Sequence, residues 1–187
     1  ADADPVHVAE GAVRGMNIQW AGQSCGSTSR VFLHSSIHDR ALAEIAEQVA
    51  RFRPGLPEDE QATMGPMISE HQLNRALAFI EEAKDEGACL VTGGKRPDDP
   101  TLANGFFLLP TVFSDVTPAM RIAREEIFGP VMSVIRWTDE DALLQAVNAL
   151  DYGLTCSIWT SNLTTAHRIA ETVEAGYIWV NNSSRHF

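Results

Sequence analysis

Cys25 is the side chain best suited to covalent chemistry, set in Trp20-Ala21-Gly22-Gln23-Ser24-Cys25-Gly26-Ser27. Glycines close on either side let the backbone take unusual angles and come near a ligand. Between a helical stretch and a strand, such a bend would hold the thiol at a loop tip. A thiolate there is a nucleophile, and the N–H groups of a Gly-Ser-rich turn can both lower a thiol pKa and stabilise an oxyanion. The competing reading is the usual fate of a free cysteine, a small buried hydrophobe. Spacing alone favours that second reading. Cys89 and Cys156 lie inside apolar runs and read as buried.

Few other clusters suggest chemistry. Glu126 precedes a Phe-Gly-Pro turn, where a carboxylate can accept hydrogen bonds from a ribose diol or simply stand in solvent. Phe128 and Trp20 read as core, although Trp20 could also wall a site for a cationic substrate. No Cys-x-x-Cys occurs. His34 and His38 have no third ligand at helical spacing and read as surface histidines, so no metal is expected. The stretch Gly87–Lys95 has P-loop glycines but the wrong spacing, with Arg96 where a Ser or Thr would hold Mg²⁺.

The elements that must position these residues follow from periodicity. Strands are expected near Arg30–His34, Cys89–Thr92, Phe106–Phe113, Val131–Trp137, Thr155–Thr160 and Tyr177–Asn181. Most are continuously apolar, as strands covered on both faces are. Helices are expected over Ile37–Phe52, Glu70–Glu86, Glu140–Leu150 and Leu163–Glu174, with Gly87 and Gly176 as C-terminal stops. The alternation predicts an α/β fold: a mainly parallel sheet of about six strands with crossover helices on both faces. Residues 53–67 and 93–105 are loops too short to be linkers, and 1–187 read as one domain.

Composition narrows the partners. The chain has 187 residues, 44% apolar and 21% charged, which suits a packed globular domain rather than a disordered one. With 14 Lys and Arg against 25 Asp and Glu, the net charge is −11, which disfavours nucleic acid and anionic membrane surfaces. Three scattered cysteines argue against a disulfide framework and for a reducing, cytoplasmic setting. The start, Ala1-Asp2-Ala3-Asp4-Pro5, has no signal-peptide character and lacks a Met, so the chain is expected to begin inside a larger one.

Gly22-Gln23-Ser24-Cys25 resembles the active-site signature of the aldehyde dehydrogenase superfamily, and Glu125-Glu126-Ile127-Phe128-Gly129-Pro130-Val131 resembles its second signature. Gly65-Pro66, Asp151-Tyr152-Gly153-Leu154 and Gly176-Tyr177-Ile178-Trp179-Val180-Asn181 follow in the family's order. The wording from Gly15 to Arg30 is closest to the betaine-aldehyde-like branches. The resemblance implies that Cys25 attacks an aldehyde to give a thiohemiacetal, that hydride leaves for NAD or NADP, and that water hydrolyses the resulting thioester. It implies cofactor contacts at Glu126, Phe128 and Gln72, and a substrate tunnel at Trp20, Ser24 and His186. It also implies a homo-oligomer in the complete enzyme. Trp20 and Ile18 depart from the Asn and the aromatic that many relatives carry. The family's general-base glutamate, oxyanion asparagine, dinucleotide-binding domain and oligomerisation strand are expected outside these residues, so the chain alone is expected to be inactive and to bind no dinucleotide tightly. Two rival readings stand beside this one. One is a thiol hydrolase or acyltransferase pairing Cys25 with a histidine, and the other is a non-catalytic fold unit that meets missing partners.

Overall fold

A computed structural model describes residues 1–183. It begins with α1 (Pro5–Gly15), whose Asp4 cap accepts from Val6 N at 2.8 Å and His7 N at 3.2 Å, with Pro5 in the first turn where a missing N–H costs nothing. β1 (Arg30–His34) and α2 (His38–Val49) follow the cysteine loop. Next come α3 (Glu70–Asp85), β2 (Cys89–Thr92), β3 (Thr111–Ser114), the short α4 (Arg121–Arg124) and β4 (Val131–Trp137). The chain then forms α5 (Glu140–Asn148), β5 (Thr155–Ile158), α6 (Leu163–Thr172) and β6 (Tyr177–Val180).

The fold is α/β with mostly parallel pairing, as its alternating elements require. Its six strands divide among the described residues into a four-stranded sheet, ordered β1-β4-β3-β2, and a two-stranded sheet of β5 and β6. β1–β4, β3–β4 and β5–β6 are parallel, and β2 runs antiparallel to β3. The continuously apolar runs of β3 and β4 are buried, with Val112, Phe113, Val131, Met132 and Val134 at 1% exposure or less. Helix side chains close over them, with Ile45 from α2 and Phe79 and Ile80 from α3 in the same core. Each such large side chain contributes about 1.5–3 kcal/mol by leaving water.

Several expectations need correction. The strand expected from Phe106 begins only at Thr111, because Pro110 has no N–H for a ladder. Gly87 ends α3 with φ +95, but α6 stops at Thr172 and Gly176 is not left-handed. Instead its N–H donates to Gly153 O at 2.7 Å, tying the start of β6 to the loop before β5. Cys89 is exposed rather than buried, since β2 is the outer strand of its sheet. His38 is 2% exposed, with Nδ1 2.9 Å from Asp39, so it is no surface histidine. Gly93 and Gly94 (φ +78 and +75) follow β2 directly and turn the chain out of it, so the glycines of the P-loop look-alike end a strand.

Candidate functional site

The cysteine loop is a series of tight turns. A single 3-10 turn, Ile18–Trp20, is bracketed by Asn17 (φ 52) and Ala21 (φ 53), and Gly22 continues at φ +66. Left-handed non-glycine residues cost energy and persist only where the surroundings impose them. Here Gly22 N donates to Asn17 O at 3.1 Å and Gln23 N to Trp20 O at 3.1 Å. The buried Asn17 amide donates to Gly15 O and to Ser27 Oγ, both at 3.2 Å. Beyond the turns, Ser24 is buried and its hydroxyl accepts from Gly26 N at 3.2 Å, while Cys25 between them is exposed. The bend presents the thiol to solvent.

Gln23 fixes the loop laterally. Its Oε1 accepts from Ile68 N at 2.8 Å and its Nε2 donates to Trp20 O at 3.2 Å and Pro66 O at 3.4 Å. The glutamine of the signature is therefore a strut between the cysteine loop and the segment leading into α3.

The Glu-Ile-Phe-Gly-Pro turn sits against this loop. Gly22 packs directly onto the peptide joining Gly129 to Pro130; a Cβ on Gly22 would overlap the Gly129 carbonyl and stand 2.9 Å from Pro130 N. Phe128 is left-handed (φ 58) and 37% exposed, an unusual state for a bulky residue. Two side chains one turn apart on α3 hold it there. Gln72 Nε2 donates to Ile127 O at 2.7 Å and Phe128 O at 2.9 Å. Arg75 donates to Ile127 O and Glu126 O, both at 2.7 Å, with its guanidinium 5.0 Å from the Phe79 ring centre. Sequence reading missed Arg75, although its spacing from Gln72 places both on one helix face.

Cys25, Trp20, Gln23, Ser24 and Phe128 line one open hollow of about 450 Å³. Cys25 also borders a larger cavity of about 600 Å³, to which Glu125 and Glu126 contribute. The two acids differ. Arg121 donates to both Glu125 oxygens, at 2.8 and 3.1 Å, holding its carboxyl below the ordinary glutamate range. Glu126 is exposed and makes no ion pair among the described residues. Cys156, by contrast, is half-buried, and burial pushes its thiol pKa up.

The structure thus brings Trp20, Ser24, Cys25 and Phe128 together, puts Glu126 on the adjoining turn, and sets Gln72 behind that turn. His186 lies outside the described residues. No histidine lines the hollow among the described residues. His34, the nearest in sequence after Cys25, ends β1 and bonds Ser36 at 2.8 Å. No cluster of three or more potential metal ligands occurs among the described residues, and no helix there is long and apolar enough to cross a membrane.

The model of the aldehyde dehydrogenase family matches residues 1–186. The chain belongs to that family. It is 56% identical over 190 residues to the aldehyde dehydrogenase tropH of Talaromyces stipitatus, covering 100% of this chain and 37% of that protein. It is 42% identical over 180 residues to the betaine aldehyde dehydrogenase of Brucella ovis, covering 96% of this chain and 37% of that protein. An aldehyde dehydrogenase from Bacillus cereus in complex with NAD+ superimposes with a TM-score of 0.91 at 35% identity, over 99% of this chain and 37% of that one. A betaine aldehyde dehydrogenase from Staphylococcus aureus, with NAD+ and a BME-modified cysteine, gives 0.93 at 34% identity, over 100% and 38%. This chain therefore spans a little over a third of the relatives it matches.

Proposed function

We propose that the chain forms the thiol-bearing part of an NAD(P)-dependent aldehyde dehydrogenase, with Cys25 as its nucleophile. The observation that carries this reading is the hollow shared by the exposed Cys25 and the left-handed Phe128. An aldehyde entering past Trp20 would meet Cys25 Sγ, which forms a C–S bond as the carbonyl oxygen takes up negative charge. The Cys25 N–H is the oxyanion donor in this reading, a contribution of about 10²–10³-fold in rate for one such group. With NAD or NADP bound as hydride acceptor, the adduct carbon would lose its hydrogen as hydride and become a thioester on Cys25; water attack on that carbon then breaks the C–S bond, giving the carboxylic acid and restoring the thiol.

The residues present suit a nicotinamide nucleotide. Glu126 offers an exposed carboxylate to ribose hydroxyls, Phe128 offers an aromatic surface beside the thiol, and Gln72 and Arg75 set the turn that carries both. When bound, NAD or NADP supplies the hydride acceptor. Two contacts cannot hold a dinucleotide firmly, and no strong general base is assigned to the residues around Cys25, a loss of about 10²–10⁴-fold. By itself the polypeptide is therefore inactive; in the full-length enzyme it works on a small aldehyde within a cytoplasmic homo-oligomer. Trp20 gives the substrate an aromatic wall, which suits a cationic aldehyde.

The test is a chimera in which this chain replaces the matching residues of the Talaromyces relative. With an aldehyde and NAD+, it should produce reduced cofactor. Cys25→Ser should abolish that production, and Cys89→Ser should leave it intact, with circular dichroism confirming that all three fold. Oxidation that survives Cys25→Ser overturns the assignment.

A further inference from the structure

Along one side of α3, Gln72, Arg75, Phe79, Glu82 and Glu86 recur at intervals of three and four, the spacing that aligns side chains on a helix. Each of them touches the segment from Arg121 to Phe128, and in reverse order. The Glu86 carboxylate, at the helix end, accepts from Arg121 N at 3.0 and 3.3 Å. Glu82 accepts from Arg121 Nη1 at 2.6 Å. The buried Phe79 ring meets two guanidinium groups, with Arg121 Cζ 4.4 Å and Arg75 Cζ 5.0 Å from its centre. Arg75 and Gln72 then take the carbonyls of Glu126, Ile127 and Phe128. The segment is laid antiparallel along the helix and fastened over its whole length.

That register decides the fate of two adjacent acids. Glu125 leaves α4 in extended backbone (φ −111, ψ 145), and extended backbone sends successive side chains to opposite sides. Glu125 turns back onto Arg121, accepting from Nε at 2.8 Å and Nη2 at 3.1 Å. Glu126 is left exposed, without an ion pair among the described residues.

Arg121 thus spends one edge of its guanidinium on Glu125 and its remaining nitrogen on Glu82. A planar fork can do this, whereas the point charge of a lysine cannot hold both bonds to one carboxylate. All three side chains are about half-exposed, and exposed ion pairs add little to stability. The consequence of the pairing therefore lies in where it aims Glu125.

We propose that Arg121 is a positioning residue for the cofactor, holding Glu125 against α3 so that Glu126 alone presents a carboxylate to the ribose. This inference rests on the reading of Glu126 given above. Arg121 touches neither cofactor nor substrate in this scheme; it acts through Glu125. Without it, two neighbouring carboxylates stand free on one turn. Their combined charge opposes the anionic pyrophosphate of a dinucleotide, and Glu125 competes with Glu126 for the ribose hydroxyls. The turn also loses its tie to Glu82, while Gln72 and Arg75 still hold its far end.

The experiment is fluorescence titration of NADH into the full-length chimera, with circular dichroism confirming that each variant folds. Glu126→Gln should weaken NADH binding at least about tenfold, because an ionised acceptor is lost. Arg121→Met, which keeps an apolar stem over Phe79, should weaken it about fivefold. Arg121→Lys keeps the charge without the fork and should weaken it about twofold. Adding Glu125→Gln to Arg121→Met should bring binding back to within about twofold of the parent. A purely structural role for Arg121 predicts no such rescue. The control Arg51→Met, which removes an exposed pair with Glu47, should be silent. If Glu126→Gln is silent, the ribose reading fails and this inference falls with it. If Glu126→Gln weakens binding while Arg121→Met does not, or if Glu125→Gln brings no rescue, the inference alone is overturned.

Discussion

Gly22 lies face to face with the Gly129–Pro130 peptide, so closely that no side chain fits between the cysteine loop and the Glu-Ile-Phe-Gly-Pro turn. The two segments, remote in sequence, are fastened backbone to backbone, and that contact sets Cys25 beside Phe128.

Gly22→Ala tests this contact. The substitution puts a Cβ into the Gly129 carbonyl at a φ of +66, combining left-handed strain with overpacking. Urea unfolding should show a loss of about 2–4 kcal/mol. The Gly65→Ala control, where a Cβ meets nothing within 4 Å, should change little.

Gln72 and Arg75 share the carbonyl of the buried Ile127, each at 2.7 Å. Either alanine substitution leaves one donor there and should cost about 1–3 kcal/mol. The double substitution strips the carbonyl of both, so its loss should exceed the sum of the singles by about 0.5 kcal/mol or more. Arg75→Lys keeps the charge but not the two-pronged geometry and should rescue only partly. A double-mutant cycle in urea measures all of this.

Asp2 carries a pH signature. Hydrogen bonds from Ser161 and Thr160 hold its carboxyl down to about 2, below the ordinary 3.8. A depressed folded pKa stabilises the fold above the unfolded value, and that contribution is lost as pH falls from about 4 to about 2. Thermal midpoints of the chain and of Asp2→Asn should differ near neutrality and converge below about pH 2. A gap that stays constant across this range would contradict the assignment.

The parallel α/β pattern was legible from β-branched runs between helical ones. Spacing alone made Cys25 a buried hydrophobe and Phe128 core; it was the resemblance of the two signature segments that singled out Cys25, Glu126 and Phe128, and the structure finds Cys25 and Phe128 exposed on one hollow. What was hidden depends on three-dimensional neighbours. An apolar run looks the same in a central strand as in an outer one, so Cys89 was misread until β2 proved to be an edge. Gly176 has the composition of a helix stop, yet its N–H is taken by Gly153 O. Arg75 looks like a surface charge until its guanidinium is seen gripping carbonyls that sit more than fifty residues along the chain.

Thiol reactivity separates the cysteines. Cys156, half-buried and with its pKa raised by burial, should be the last of the three to react with iodoacetamide, as followed by peptide mass mapping. Exposure alone allows Cys89 to compete with Cys25.

The decisive measurement is therefore iodoacetamide labelling of Cys25 and Cys89 over time, each resolved by peptide mapping, with and without a saturating small aldehyde. Reversible thiohemiacetal formation in the hollow should slow labelling of Cys25 when aldehyde is present, while Cys89 is unaffected. Labelling of Cys25 that is as indifferent to the aldehyde as that of Cys89 would contradict the account.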